Sequence, residues 1–341
     1  MVTNIVDFFE LPVFEQASTD SAITFLTNSN SNFSTEYLGI KTLKNIDLKI
    51  LSNSCEVIVI KDEQEWKFIH NSNLKLLSKI ENVETTIGSI VNSQIYLGIK
   101  TGLNKAFIIS DDVKNILVEK EPKSKEIIKP LLAPTDFDSV NSNWSKKWII
   151  LSHNGISGSK IKPINIVRDY KVVFEYLKEY LPEIKTRGDQ GVHWTNLRDC
   201  SYLETFYKPK ISFVYTAKNH YFFFDNNNFI VNNSCFFISS NDYYLWAFLN
   251  SSLFKYYQKI KFVAYGDADG SGRVKLDRNK MLNVPIRPIK ETELSKYEGL
   301  FKKIKEDNSV KTKTMNIIDK MIYKLYNLTK EEIQIIENSI K

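Results

Sequence analysis

A mixed α/β (α+β) fold follows from three features of this 341-residue chain. Short runs rich in β-branched and aromatic residues recur between turn formers. Two longer segments carry apolar side chains at helical spacing, and residues 291–341 read as charged helix. Composition divides the chain into an acidic head, 1–90, a strand-rich body, 91–290, and a helical tail, 291–341.

Along the head, IVDFF (5–9) predicts a short strand, Pro12 a turn, and Ser18, Thr19 and Asp20 a helix start or strand lead-in. EVIVI (56–60) is a second strand. The acidic Asp62, Glu63 and Glu65 precede an amphipathic piece, LKLLSKIENV (74–83). The body opens with IYLGIKTGLNKAFIIS (95–110), whose apolar flanks, 95–99 and 106–109, predict two strands around a polar turn. Gly102 supplies the positive φ that such a turn uses, and Asn104 tolerates left-handed backbone. Asn165 caps IVRDYKVVFEYLKEYL, in which Val167, Tyr170, Phe174, Leu177 and Leu181 recur at helical spacing.

KISFVY (210–215), YFFFD (221–225) and CFFIS (235–239) are strands, with Asn226, Asn227 and Asn228 supplying turn chemistry. Asn241 and Asp242 open the helix YYLWAFLNSSLFKYYQKI, with Leu245, Phe248, Leu249, Leu253 and Tyr256 on one face. Both prolines of NVPIRPI (283–289) exclude helix there. In the tail MNIIDKMIYKLYNL is helical, and Thr329 caps KEEIQIIENSI with Glu331 and Glu332 in its first turn. No internal repeat interrupts this order.

With 43% hydrophobic and 25% charged residues the composition is that of an ordinary soluble globular protein. No run of 18 apolar residues offers a membrane-spanning helix. The opening MVTNIVDFFELP has neither a basic n-region nor a signal-peptide core, which points to the cytoplasm. Cys55, Cys200 and Cys235 are scattered without CxxC spacing, so neither a disulfide framework nor a zinc site is indicated. The net charge of +6 is uneven: residues 1–90 carry 7 basic and 12 acidic side chains, which leaves +11 for the remainder. A basic body behind an acidic head fits a polyanionic partner for the body.

Several chemistries are missing. There is no GxxxxGK[ST], no GxGxxG, no HExxH and no GxSxG elbow, and the four histidines lie far apart in sequence. The segment from Asp267 to Arg273 opens like a calcium loop, but its twelfth position is Arg278 where a bidentate Glu is required. A glycine-rich loop is the better reading.

The positive signals share one theme. In KTGLNK, Lys100, Thr101 and Lys105 suit phosphates, and the Asn104 amide could pair with an adenine edge. The alternative is a polar hairpin tip facing water. In KTRGDQGVHWTNLRDC (185–200), Arg187 and Arg198 offer forked donors for phosphate or guanine, while Gln190 and His193 are adaptable readers. Gly188 and Gly191 permit close backbone approach. Trp194 could stack on a base, yet its setting favours the core. Lys208, Lys210, Arg273 and Lys275 add cations beside apolar strands, as phosphate anchors or plain surface.

Taken in order, GIKTGLNKAF (98–107), KPLL (129–132), KKWIILS (146–152), RGDQGVHWTNLR (187–198), FYKPKI (206–211), LWAFLNSSLFKYY (245–257) and VPIRPI (284–289) resemble the TaqI-like C-terminal specificity domain. That domain is the target-recognition module of type IIG restriction enzymes and related adenine-N6 DNA methyltransferases. The closing IIDKMIYKLYNLTKEEIQIIE (317–337) is similar to the helical tail of such proteins. IVDFFELPVFEQASTDSAI (5–23) resembles the stretch after the catalytic motif of their methyltransferase domain, so the head would be the tail of its sheet.

Neither the glycine-containing S-adenosylmethionine loop nor the Asn-Pro-Pro-Tyr/Phe motif for a flipped adenine is present. PEIK (182–185) lacks the upstream partner of a nuclease site. The resemblance therefore implies that residues 91–290 recognise double-stranded DNA, with the polar loops at 100–105 and 187–198 converging on one cationic groove. S-adenosylmethionine and the methylase would belong to another domain or subunit. The alternatives are a specificity subunit that becomes an adenine methyltransferase or restriction enzyme only with a partner, and an inert truncated fragment.

Overall fold

The central sheet of the body is buried on both faces, and this explains why its strands read as continuous apolar runs rather than alternating ones. Its order is Phe223–Asp225, Lys210–Val214, Cys235–Ser239 and Ile95–Leu97, with every neighbouring pair antiparallel. Ile211, Phe213, Phe224, Phe236 and Ile238 face a core shared with helices. Phe223, Cys235 and Phe237 face a second core. The computed structural model describes residues 2–8, 11, 13–14, 21–28, 35–40, 43, 56–58, 71–262, 264–265 and 272–340.

The helical side is built from the last part of the head and from the tail, which pack together on the body. Helix Asn71–Glu81 places Leu76, Leu77 and Ile80 in the same core as Phe301, Ile318, Ile322 and Ile336 of the three tail helices, Glu291–Glu306, Lys311–Leu325 and Lys330–Ser339. Lys79 ties the two ends together through Glu332 at 2.6 Å and the Asn327 carbonyl at 2.7 Å. Thr329 forms the expected capping box with Glu332.

Two segments expected as single helices are each divided. Asn165 caps Ile166–Asp169 as predicted, but Tyr170 leaves helical geometry at φ −140°, and a new helix runs from Lys171–Lys178. Asp242 caps Tyr243–Asn250, after which Ser251 is extended and accepts the Phe254 N–H to start Ser252–Lys261. A serine side chain can replace the helical carbonyl as acceptor, so NSS restarts the helix instead of continuing it. Asn250 uses the break: its side chain accepts the Phe222 N–H and donates to the Phe222 carbonyl.

The other core is closed by a second sheet, ordered Ile230–Val231, Ile128–Leu132, Lys147–Ile150 and Ile108–Ile109, with a parallel first pair and antiparallel others. A three-stranded sheet joins Thr216–Ala217, Arg273–Lys275 and Ala264–Tyr265. In the head, Val2–Asp7 pairs antiparallel with Ala22–Leu26 and parallel with Thr35–Gly39, which pairs with Glu56–Ile58. Val2, Ile5 and Tyr37 form its small core. The turn at Pro12, residues 18–20, the acidic stretch at 62–65 and most of the glycine-rich loop, 266–271, lie outside the described residues.

The predicted hairpin at 95–110 is not formed. Ile95–Leu97 and Ile108–Ile109 belong to different sheets, and the chain crosses between them. At the crossing Ile99 donates to the Val231 carbonyl and accepts from Asn233. A Cβ on Gly98 would lie 2.0 Å from the Asn232 carbonyl oxygen, so only glycine allows this approach. Asn104–Phe107 then make one helical turn, across the end of the expected turn and the start of the expected strand at 106–109.

Lys210 is also not where a phosphate anchor must be. It is 0% exposed, paired with Asp225 at 2.6 Å and bonded to the Phe206 carbonyl. Burial pushes the Lys210 ammonium down and the adjacent Asp225 pulls it back up. Asp225 in turn accepts the backbone N–H groups of Asn227 and Phe229, fixing the turn after its strand. Lys210→Ala leaves that carboxylate buried and unpaired, and urea unfolding should register a loss of about 3–5 kcal/mol. Lys210→Met combined with Asp225→Asn should recover much of it; a double variant as unstable as the single would remove the ion pair from this account.

His220 is buried and its Nδ1 lies 2.7 Å from Gln258 Nε2, a donor to neutral imidazole. Burial lowers its titration to about 4. Between that value and about 6.5, the unfolded chain binds a proton that the native chain refuses, so stability falls as pH drops through this window. Unfolding titrations should show about 3 kcal/mol of such loss. His220→Gln should abolish that component; an unchanged pH slope in the variant would assign it elsewhere.

Candidate nucleic-acid interface

The two polar loops singled out in the sequence meet. Gly102 has φ +68°, and a Cβ there would lie 3.0 Å from Arg187 Cδ and 3.2 Å from Asp189 Cβ. Lys105 reaches Glu183 at 2.7 Å, with both side chains exposed. The Arg187 guanidinium lies over the Phe107 ring at 4.4 Å. One loop thus rests on the other across more than eighty residues of sequence.

Their chemistry differs from the expectation. Thr101 is 2% exposed, and its hydroxyl donates to Asn104 Oδ1 at 2.6 Å, so it stiffens the loop rather than facing a ligand. Arg187 is 7% exposed; it donates through Nε to the Asp189 carbonyl and through Nη2 to the Asn196 carbonyl. Burial lowers its pKa to about 10, with Asp189 opposing the shift. Arg187 is therefore an internal strut, because its planar fork and flat apolar faces match two carbonyls and a phenyl ring together.

The remaining candidates divide between neutralised and outward groups. Gln190 spends its amide hydrogens on the carbonyls of Lys185 and Arg187. Arg198 is exposed but paired with Asp189 at 3.0 Å. His193 is exposed and held through Nδ1, 2.8 Å from Thr195 Oγ1; partial burial, with Lys185 adding to it, lowers its pKa. Asn104 and Lys105 are exposed, and Lys100 is half-buried. Trp194 packs partly buried against the second core and 5.7 Å from the Phe174 ring, in keeping with the core reading. Lys208 is exposed after the short helix Leu203–Tyr207, whereas Arg273 and Lys275 stand exposed on the separate three-stranded sheet.

A third segment, absent from the sequence candidates, joins the same place. Residues 153–164 are fastened to 187–198 by Asn154, which accepts the Val192 N–H and donates to the Leu197 carbonyl. Buried Asn196 donates to the carbonyls of His153 and Ile164. The glycines at 155 and 158, with Ser157, Ser159, Lys160 and Lys162, were the available signal. No group of three or more His, Cys, Asp or Glu side chains among the described residues could hold a metal, and no described helix is long and apolar enough to cross a membrane.

No family profile matches the chain, and no curated protein matches it by sequence. Among solved structures, the type IIL restriction-modification enzyme MmeI, determined in complex with DNA, superposes with a TM-score of 0.56 at 12% identity, over 98% of this chain and 44% of that one. The type IIG restriction endonuclease BpuSI overlaps with a TM-score of 0.41 at 14% identity, over 96% and 44% of the two chains, too slight a likeness to carry an argument. The chain spans less than half the length of MmeI. Its mixed α/β architecture with a helical C-terminal tail is a fold shared with part of the restriction-modification enzyme MmeI.

Proposed function

We propose that this chain recognises double-stranded DNA as the specificity part of a restriction-modification enzyme and positions an adenine for N6 methylation. The single observation that carries the reading is the contact between the loops at 100–105 and 183–198, two polar segments far apart in sequence. Convergent polar loops on a rigid double core are what base readout requires. The fold shared with an enzyme solved on DNA supports the same direction.

In this proposal Asn104 and His193, both exposed, touch base edges, while Lys105 and Arg198 exchange their carboxylate partners for phosphates. Arg187, Thr101 and Gln190 hold the loops in register. The methylase and its S-adenosylmethionine reside in another domain or subunit, as does any nuclease. Residues 1–90 would extend the methyltransferase sheet, 91–290 would read the DNA, and 291–341 would brace the body.

A second reading, a subunit that works only with a methylase partner, is favoured by strand Ala22–Leu26. It is exposed along its whole length, with Ile23, Phe25 and Leu26 at 50%, 52% and 72%. Among the described residues it is the edge of its sheet, and an exposed apolar edge strand invites pairing.

Enrichment from a random duplex pool should yield one preferred sequence, with binding that weakens steeply with salt. Asn104→Ala should lower discrimination at one base pair by about 1–3 kcal/mol while leaving the salt slope unchanged. A pool that never enriches, or salt-independent binding, would sink the proposal. Adenine methylation that appears only on mixing with a separate methylase would select the second reading.

A further inference from the structure

We infer that residues 153–164 form a third DNA-contacting element, a basic finger whose Lys160 and Lys162 bind backbone phosphates of duplex DNA. The inference rests on the DNA-recognition reading above and deepens it by locating the charge that the reading needs.

Of the cations on the two converging loops, Arg187 is buried, Lys105 is paired with Glu183 and Arg198 with Asp189, while half-buried Lys100 and exposed Lys185, which lies over the Trp194 ring, have no ion-pair partner among the described residues. Carboxylates therefore offset much of the charge on these loops, although the body as a whole is strongly basic. Residues 153–164, HNGISGSKIKPI, contain two lysines and no carboxylate. Lys160 and Lys162 are both exposed, and neither has an ion-pair partner among the described residues. The finger adds two uncompensated positive charges beside the loops.

The neck is closed by the Ile164 N–H to the His153 carbonyl at 2.9 Å and by the Asn196 amide across both sides. Inside the finger Ile156 donates to the Ile161 carbonyl, and Gly155, at φ +74°, admits that approach because a Cβ would meet the Ile161 oxygen at 2.6 Å. Ile156, Ile161 and Ile164 pack partly buried against the second core. With its apolar side anchored, the finger presents its lysines without the ordering cost of a loose loop. Asn154 fixes its base to the loop carrying His193, so phosphate contact here would set the register of base contact there.

The test uses the full chain and a labelled random-sequence duplex of about three helical turns, since the phosphate contribution is independent of sequence. Anisotropy titrations across a salt series should give a log–log slope that becomes shallower by about 1.8 in Lys160→Ala/Lys162→Ala, about 0.9 per lost contact. Lys160→Arg/Lys162→Arg should restore it. Lys296→Ala/Lys302→Ala, on the tail helix where both lysines pair with glutamates, should leave the slope unaltered. If the wild type binds and the double alanine variant keeps its slope, the finger assignment is wrong while the recognition reading stands. If the wild type binds no duplex, both fall. Equal losses in the finger and tail variants would mean diffuse attraction rather than a defined contact, and would also overturn it.

Discussion

A sheet buried on both faces has no solvent side on which to keep charge, and the rest of this molecule is arranged around that constraint. The strands Lys210–Val214 and Cys235–Ser239 meet helices on one face and a second sheet on the other. A lysine that enters such a sheet must bring a counter-charge, and Lys210 does so with Asp225. The pair serves two structural tasks at once: it satisfies the ammonium, and it makes Asp225 the acceptor that turns the chain toward the second sheet. Double-sided burial also dictates where the edge strand Ile95–Leu97 goes next. It leaves the central sheet through Gly98, against the backbone of Asn232, and emerges at the junction between the layers.

That exit positions the candidate interface. The loop at 100–105 is short and stiff because Thr101 bonds to Asn104 and because Asn104–Phe107 close a helical turn immediately after it. Phe107 then supplies the surface on which Arg187 lies, and Arg187 is the piece that joins the two loops. A buried guanidinium bonded to carbonyls is costly to disturb, since any displacement leaves polar groups unpaired in a low dielectric. The loops therefore move as one body with the double core. The same logic extends to Asn154 and Asn196, buried or half-buried amides that bind the finger at 153–164 to the loop beside it. Three polar segments, each too short to hold a shape alone, are rigid together.

The charge on this face is partly self-compensated. Lys105–Glu183 and Arg198–Asp189 are exposed pairs, and exposed pairs contribute little to stability. Their carboxylates lower the attraction for nonspecific polyanions without blocking exchange for a phosphate. In the proposed role, paired cations near the Asn104 amide, flanked by unpaired lysines on a finger, would favour discrimination over bulk affinity.

Much of the architecture was legible in the residues. The strands at 210–214, 223–225 and 235–239, the caps at Asn165, Asp242 and Thr329, and the extended NVPIRPI follow from local chemistry that needs no distant partner. The sequence also singled out the loops at 100–105 and 187–198, because glycines beside amides and cations are visible without coordinates. It could not say which cations are surface and which are struts. Arg187 and Lys210 resemble Arg198 and Lys208 in local pattern, yet the first two are buried and the others exposed. The hairpin at 95–110 failed for a related reason: two apolar runs around a turn specify strands but not their partners, and here each finds a longer strand in a different sheet. Side-chain burial and strand pairing depend on partners that no local pattern names, from Asp225 for Lys210 to Ile238 for Ile95, so only the packed chain decides them.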